Sequence, residues 1–215
     1  PYVHTTWAIG PQTDLSAGFR LEYTYYNYTN HAPDGTYGRF LRIPDQANVY
    51  WDPTPKLGLS HTFSDEVTTF ANLARGARAP QTTDLYRLQI NETPNEAKSE
   101  TIDSAEVGAR GVLLGDVTYE ISAYYMYKRN YYFRDANGFN VANGKTQHTG
   151  LEAELIAPLA FGFYFEGAGS YAWHTYDFDN DVSGSSNPTE SISAGDFVDT
   201  APKSLANVRL GYGFL

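Results

Sequence analysis

From residue 117 to residue 128 the chain alternates without a break. Val117, Tyr119, Ile121, Ala123, Tyr125 and Tyr127 fall on one side, and Thr118, Glu120, Ser122, Tyr124, Met126 and Lys128 on the other. A period of two puts the two sets on opposite faces of a β-strand. The first face is apolar and aromatic; the second holds every charge. The run is about twice the usual strand length of about five or six residues. The same pattern recurs over residues 15–26, 104–113, 150–157, 161–173 and 206–214, with Arg20, Glu22, Glu106, Arg110, Glu152, Glu154, Glu166 and Arg209 all on the polar side. Shorter segments at 2–9, 56–63 and 67–75 bring the total to about nine predicted strands. No segment keeps a helical period, and no apolar run approaches the roughly eighteen residues that a membrane helix needs.

The connections sort by length. Residues 10–14, 64–66, 114–116 and 158–160 are short links, and residues 27–55, 76–100, 130–149 and 176–203 are long ones, in strict alternation. In an up-and-down antiparallel sheet alternate links lie at opposite ends, so one rim collects the short turns and the other the long loops. Outer-membrane barrels have this arrangement, with aromatic girdles at both interfaces. Greek-key sandwiches have no reason to sort loops by end. The pattern predicts an all-β, antiparallel up-and-down transmembrane β-barrel segment, with Tyr119, Ile121, Ala123 and Tyr125 toward lipid and Glu120, Ser122 and Tyr124 toward the lumen. About nine strands would leave two open edges in lipid, where unpaired backbone is costly. Residues 1–215 are therefore expected to be part of a larger barrel, one that also requires an export signal upstream.

Composition changes this picture little. A mean hydropathy of -0.45 suits a barrel in which half of each strand is polar. The chain has no Cys, as suits passage through an oxidising periplasm. A net charge of -10 excludes the basic character usual in nucleic-acid binding. Catalysis has no support, since G-x-S-x-G and H-E-x-x-H motifs are absent. Glu152 and Glu154 read as two lumen-facing charges, paired with Lys128 or Arg110.

Residues 74–86 carry the most specific words: Gly76, Ala77, Arg78, Ala79 and Pro80, then Asp84, Leu85 and Tyr86. Ser104, Glu106, Gly108 and Arg110 follow at alternate positions, and later come Gly150-Leu151-Glu152 and Thr200-Ala201-Pro202. This series resembles the barrel of TonB-dependent outer-membrane receptors, which carry a G-[FA]-R-A-P element before a strand reading S-x-E-x-G-x-[RK]. The resemblance implies 22 strands around an N-terminal plug, in the outer membrane of a bacterium. It implies active import of a scarce ligand, such as a ferric siderophore, with energy from the TonB complex acting through a region outside these residues. The expected partners are outer-membrane lipid, the TonB complex and a small-molecule ligand, and iron would enter only as part of that ligand. Haem-type members tend to carry a His after the R-A-P element, and residues 80–100 contain none. A passive porin or surface-display barrel is the alternative, with a soluble carbohydrate-binding sheet behind it.

Physically, Pro80 should end strand pairing at the rim, leaving Arg78 near the mouth beside Asp84, Glu96 or Glu100. Ligand contacts are expected from Tyr28, Tyr37, Arg39, Arg42, Tyr86 and Arg87, among loop and girdle aromatics that include Tyr25, Tyr26, Tyr50 and Trp51. Asp177, Asp179 and Asp181 are spaced like the start of a calcium loop, but Val182 and Pro188 stand where an EF-hand needs Gly and Glu. No resident cofactor or metal is expected beyond a loop-bound Ca at those residues. His31, His148 and His174 share the long-loop end, where they read first as ordinary rim residues and only second as metal or haem ligands.

Overall fold

The computed structural model describes residues 1–89, 97–134, 140–184 and 187–213. Nine long strands form one antiparallel sheet: β1 (Tyr2–Gly10), β2 (Thr13–Tyr28), β5 (Gln46–Ser64), β6 (Val67–Arg78), β8 (Glu100–Leu113), β9 (Val117–Arg134), β10 (Asn140–Pro158), β11 (Phe163–Tyr176) and β14 (Ser204–Tyr212). Each pairs with its neighbours in chain order, so the topology is the expected up-and-down one. The long links carry small elements of their own: β3 (Gly35–Tyr37), β4 (Phe40–Arg42), α1 (Thr82–Tyr86), β7 (Leu88–Gln89), β12 (Asn180–Gly184) and β13 (Asn187–Ile192). The short helix α1 departs from the all-strand expectation. It is too brief to register as a period and is set by its cap, where the Gln81 N–H donates to Asp84 Oδ2 at 3.0 Å.

Register carries the two faces across the whole sheet. One outer row runs Trp7, Leu15, Leu59, Ala71, Val107, Ala123, Leu151, Tyr171, each the partner of the next. These side chains find no protein partner layer: Leu73 is 56% exposed, Val107 58% and Val208 71%. The inner face is the sheltered one, with Ser122 and Ala172 at 6% and 4%. The outer band thins into aromatics at both ends. Tyr23, Trp51, Tyr125 and Trp173 lie toward the long loops, and Phe63, Phe163 and Tyr212 toward the short turns. Burying such side chains in hydrocarbon is worth about 1.5–3 kcal/mol each relative to water.

Three expectations need correction. First, β5 begins at Gln46, about ten residues before the predicted strand start, and runs through Pro53 and Pro55. The Thr62 N–H bonds the Gln12 carbonyl on the β2 side. Since N–H direction alternates, even-numbered residues of β5 donate toward β2 and odd-numbered ones toward β6. Both prolines thus lack a donor only on the β6 side. There the ladder stops at Lys56–Ala74, one position short of Pro55. Second, charges do not stay on the inner face above the apolar band: Arg75 and Asp103 are partners on the outer face. Asp103 accepts from Arg75 Nε at 2.5 Å and from Arg129 at 2.5 Å. This ionic cluster marks where the outer surface leaves the apolar zone. Third, Arg110 pairs with Glu120 at 3.9 Å and Lys128 with Glu100 at 3.0 Å, so neither cation is taken by Glu152 or Glu154.

Candidate functional site

The R-A-P element lies where strand pairing gives way to the mouth. Arg78 is the last residue of β6 and reaches Glu100, its partner on β8, at 3.3 Å. Glu100 also holds Lys128, so one carboxylate ties β6, β8 and β9 together. Asp84, another expected partner of Arg78, is engaged in the cap of α1, and Glu96 lies outside the described residues. Ala79 leads into Pro80, which is buried and ends the ladder as expected. Gly76, at the base of the element, packs on Ile102. In the following strand Glu106 accepts from the Asn72 side chain at 3.0 Å. Gly108 is required by contact: a Cβ there would stand 2.4 Å from the Phe70 ring and 2.7 Å from the Ile121 carbonyl.

Tyrosines from the wall hold the loop beyond Pro80. The Tyr26 hydroxyl donates to the Pro80 carbonyl at 3.0 Å, Tyr50 to Ala97 at 3.2 Å, and Tyr132 to Lys98 at 3.0 Å. Tyr86 on α1 donates to Asn48 Oδ1 at 3.0 Å and stacks on Tyr28 with ring centroids 4.6 Å apart. Burial raises the Tyr86 phenol above its ordinary range, with Tyr26 and Tyr25 adding to the effect, so it stays a donor at neutral pH. Tyr26, Tyr28 and Tyr50 have the inner-face parity of their strands, so they draw the loop in over the lumen.

Above this layer β3, β4 and β7 form a small sheet. Ile43 just beyond β4 and Leu85 on α1 are each 1% exposed, and Leu88 on β7 is 4% exposed. Arginines ride on the sheet's aromatic rings. Arg42 lies 4.3 Å from the Tyr37 centroid, and Arg39 and Arg87 lie 5.2 and 5.4 Å from Phe40. Among the described residues no carboxylate lies within ion-pair distance of these three guanidinium groups. Such a patch attracts anions and flat, electron-rich ligands.

The six residues expected to contact ligand therefore separate into two layers. Tyr28 and Tyr86 are joined and serve the loop, whereas Tyr37, Arg39, Arg42 and Arg87 are gathered at the surface of the cap. Phe40 is the member that sequence reasoning missed; its signal was an aromatic residue set between Arg39 and Arg42 in the same link.

The other candidates fall elsewhere. Asp177 accepts from the Tyr127 hydroxyl at 2.9 Å and Asp179 from the Ala194 N–H at 2.9 Å, while the side chain of Asp181 lies outside the described residues. No three His, Asp or Glu side chains are grouped for a metal among the described residues. Of the three long-loop histidines, His148 and His174 meet, with their Nδ1 atoms 2.8 Å apart, while His31 lies in the link after β2.

Comparison with known proteins agrees with this architecture. The family model described as TonB dependent receptor-like, beta-barrel matches residues 1–215. Among solved structures the sheet is similar to the siderophore receptor PiuA from Acinetobacter baumannii (15% identity, TM-score 0.71, 100% of this chain and 30% of that one). It is also similar to the ferric yersiniabactin uptake receptor FyuA from Yersinia pestis (16% identity, TM-score 0.65, 98% and 30%). A third similar structure is the copper transporter OprC (17% identity, TM-score 0.65, 81% and 28%). At these identities the likeness concerns the fold. The chain spans about 30% of the length of those receptors. No curated protein matches it by sequence.

Proposed function

This chain belongs to the TonB-dependent receptors, a family of non-enzymatic transporters of the bacterial outer membrane, and from that premise we propose that it forms part of the wall and mouth of an active importer. The ligand is a scarce anionic metal chelate of the ferric-siderophore type, captured at the cap before passage through the lumen. Energy reaches the receptor from the TonB complex through a part of the protein outside this chain. The observation that carries the reading is the group formed by Arg39, Arg42 and Arg87 on Tyr37 and Phe40, with no carboxylate neighbour among the described residues. Cations so placed keep their charge available to a ligand. The printed names of two of the similar structures, a siderophore receptor and a ferric yersiniabactin uptake receptor, support a ligand of this kind.

The test is equilibrium binding of a panel of ferric siderophores to the complete receptor in detergent, followed by intrinsic fluorescence. Arg87→Ala combined with Arg42→Ala should weaken the ligand that binds by about 10- to 100-fold, or roughly 1.4–2.8 kcal/mol, and the loss should shrink as salt rises. Unchanged affinity in the double variant would exclude the arginine patch as the capture site.

A further inference from the structure

We infer that Met126, His148 and His174 form a copper-binding site on the inner wall, separate from the arginine patch at the mouth. The three residues are consecutive partners across β9, β10 and β11, Met126 with His148 and His148 with His174. They therefore project from the same face, with neighbouring Cβ atoms about 4.5–5.5 Å apart. By strand parity that face is the inner one, shared with Ser122 and Ala172.

The histidines are already arranged as a pair of bases. Their Nδ1 atoms are 2.8 Å apart and the rings are inclined at 55°. An imidazole nitrogen sits about 2.0 Å from a bound transition metal, so two nitrogens at right angles on a tetragonal ion are about 2.8 Å apart. Only one proton lies between the two nitrogens in the metal-free pair, and a small turn of each ring aims both lone pairs at one point. The protons are conserved in the exchange. Each neutral ring carries one N–H, and on metal binding both sit at Nε2.

Thr146 is placed to hold that state. Its hydroxyl is 2.9 Å from His148 Nε2, and the residue is 2% exposed. Accepting the Nε2–H fixes the tautomer that leaves Nδ1 as a ligand, the role an outer partner plays at metal-binding histidines.

Met126 chooses the metal. It is the single methionine of the chain, and its backbone partner across the ladder is His148. Imidazoles with a thioether suit copper, above all Cu(I), whereas Mg, Ca and Mn want oxygen. Lys128, two residues along β9, would repel a cation, but its ammonium is paired with Glu100 at 3.0 Å.

The complete receptor, purified in detergent and stripped with chelator, is titrated with Cu(I) against a chromophoric competitor and with Cu(II) under electron paramagnetic resonance. The expected result is one tight copper per chain, with nitrogen couplings on the Cu(II) signal. The paired variant His148→Gln with His174→Gln should lose that copper and those couplings, while His61→Gln keeps both. Thr146→Val should weaken binding by about 10-fold. Met126→Leu, a swap of similar volume that cores tolerate, should weaken Cu(I) and leave Cu(II) nearly unchanged. The site is overturned if the wild type binds no stoichiometric copper, or if the paired histidine variant binds it as tightly as the wild type. Should that pair fail to fold, equal Cu(I) affinity in Met126→Leu and wild type overturns it.

Discussion

The wall and the cap of this molecule solve the problem of apolar side chains in opposite ways. The wall turns them outward: Leu73, Val107, Ile121 and Val208 have no protein layer packed over them and are more than half exposed. The cap turns them inward, and Ile43, Leu85 and Leu88 are buried as in a water-soluble protein. The difference is one of solvent. Strands surrounded by hydrocarbon gain from displaying Leu and Val, because the backbone groups between neighbouring strands are paired in the ladder. Residues beyond the bilayer meet water and must bury what the wall displays. A single chain thus changes its folding rule at the height of Arg75, Asp103 and Arg129.

The comparison makes predictions that separate the two regions. Leu85→Ala should cost the cap about 2–5 kcal/mol. Hydrogen exchange and limited proteolysis should show residues 82–89 opening while the wall stays protected. Simultaneous loss of protection in β8 and β9 would mean the two regions are one cooperative unit. The converse is Val107→Arg, which puts a charge into the outer band and should cost about 2–4 kcal/mol if the residue lies near the bilayer midplane. The loss should appear in the unfolding of the barrel in lipid, with the exchange protection of the cap retained in whatever fraction remains folded. Tyr86→Phe is the gentlest test. It removes the hydrogen bond to Asn48 but keeps the ring stacked on Tyr28, and should cost about 1 kcal/mol. Its effect should appear as faster exchange around α1, with wall stability unchanged.

The wall was legible in the sequence because its rule is local. Alternation at period two survives wherever one face meets lipid, so Leu15 to Tyr26 and Val117 to Lys128 could each be read alone, and the order of short and long links completed the topology. The cap was not legible in the same way. Ile43 belongs to one long link and Leu85 and Leu88 to the next, so their burial depends on two links coming together through β4 and β7, and α1 is shorter than two helical turns. Pro53 and Pro55 concealed the start of β5, since a proline in a strand is harmless or disruptive according to which neighbour its missing N–H would have faced. The candidate ligand residues were found by type, as arginines and aromatics of the long links. Their division into Tyr28 and Tyr86, which brace the loop, and the arginine group on Tyr37 and Phe40 required the structure. The pairing of His148 with His174 rests on a register that alternation alone does not set.

Those two prolines also bear on how the sheet reaches its register. Strands with a period of two can slide by two residues and still keep every side chain on its proper face, so hydropathy alone offers no penalty for such a slip. Here the ladder between β5 and β6 ends at Lys56–Ala74, and the next position on that side is Pro55. Advancing β6 by two residues toward the mouth would set a carbonyl against a ring nitrogen with no hydrogen. The prolines thus penalise sliding of β6 toward the mouth, a misalignment that the amphipathic pattern cannot detect.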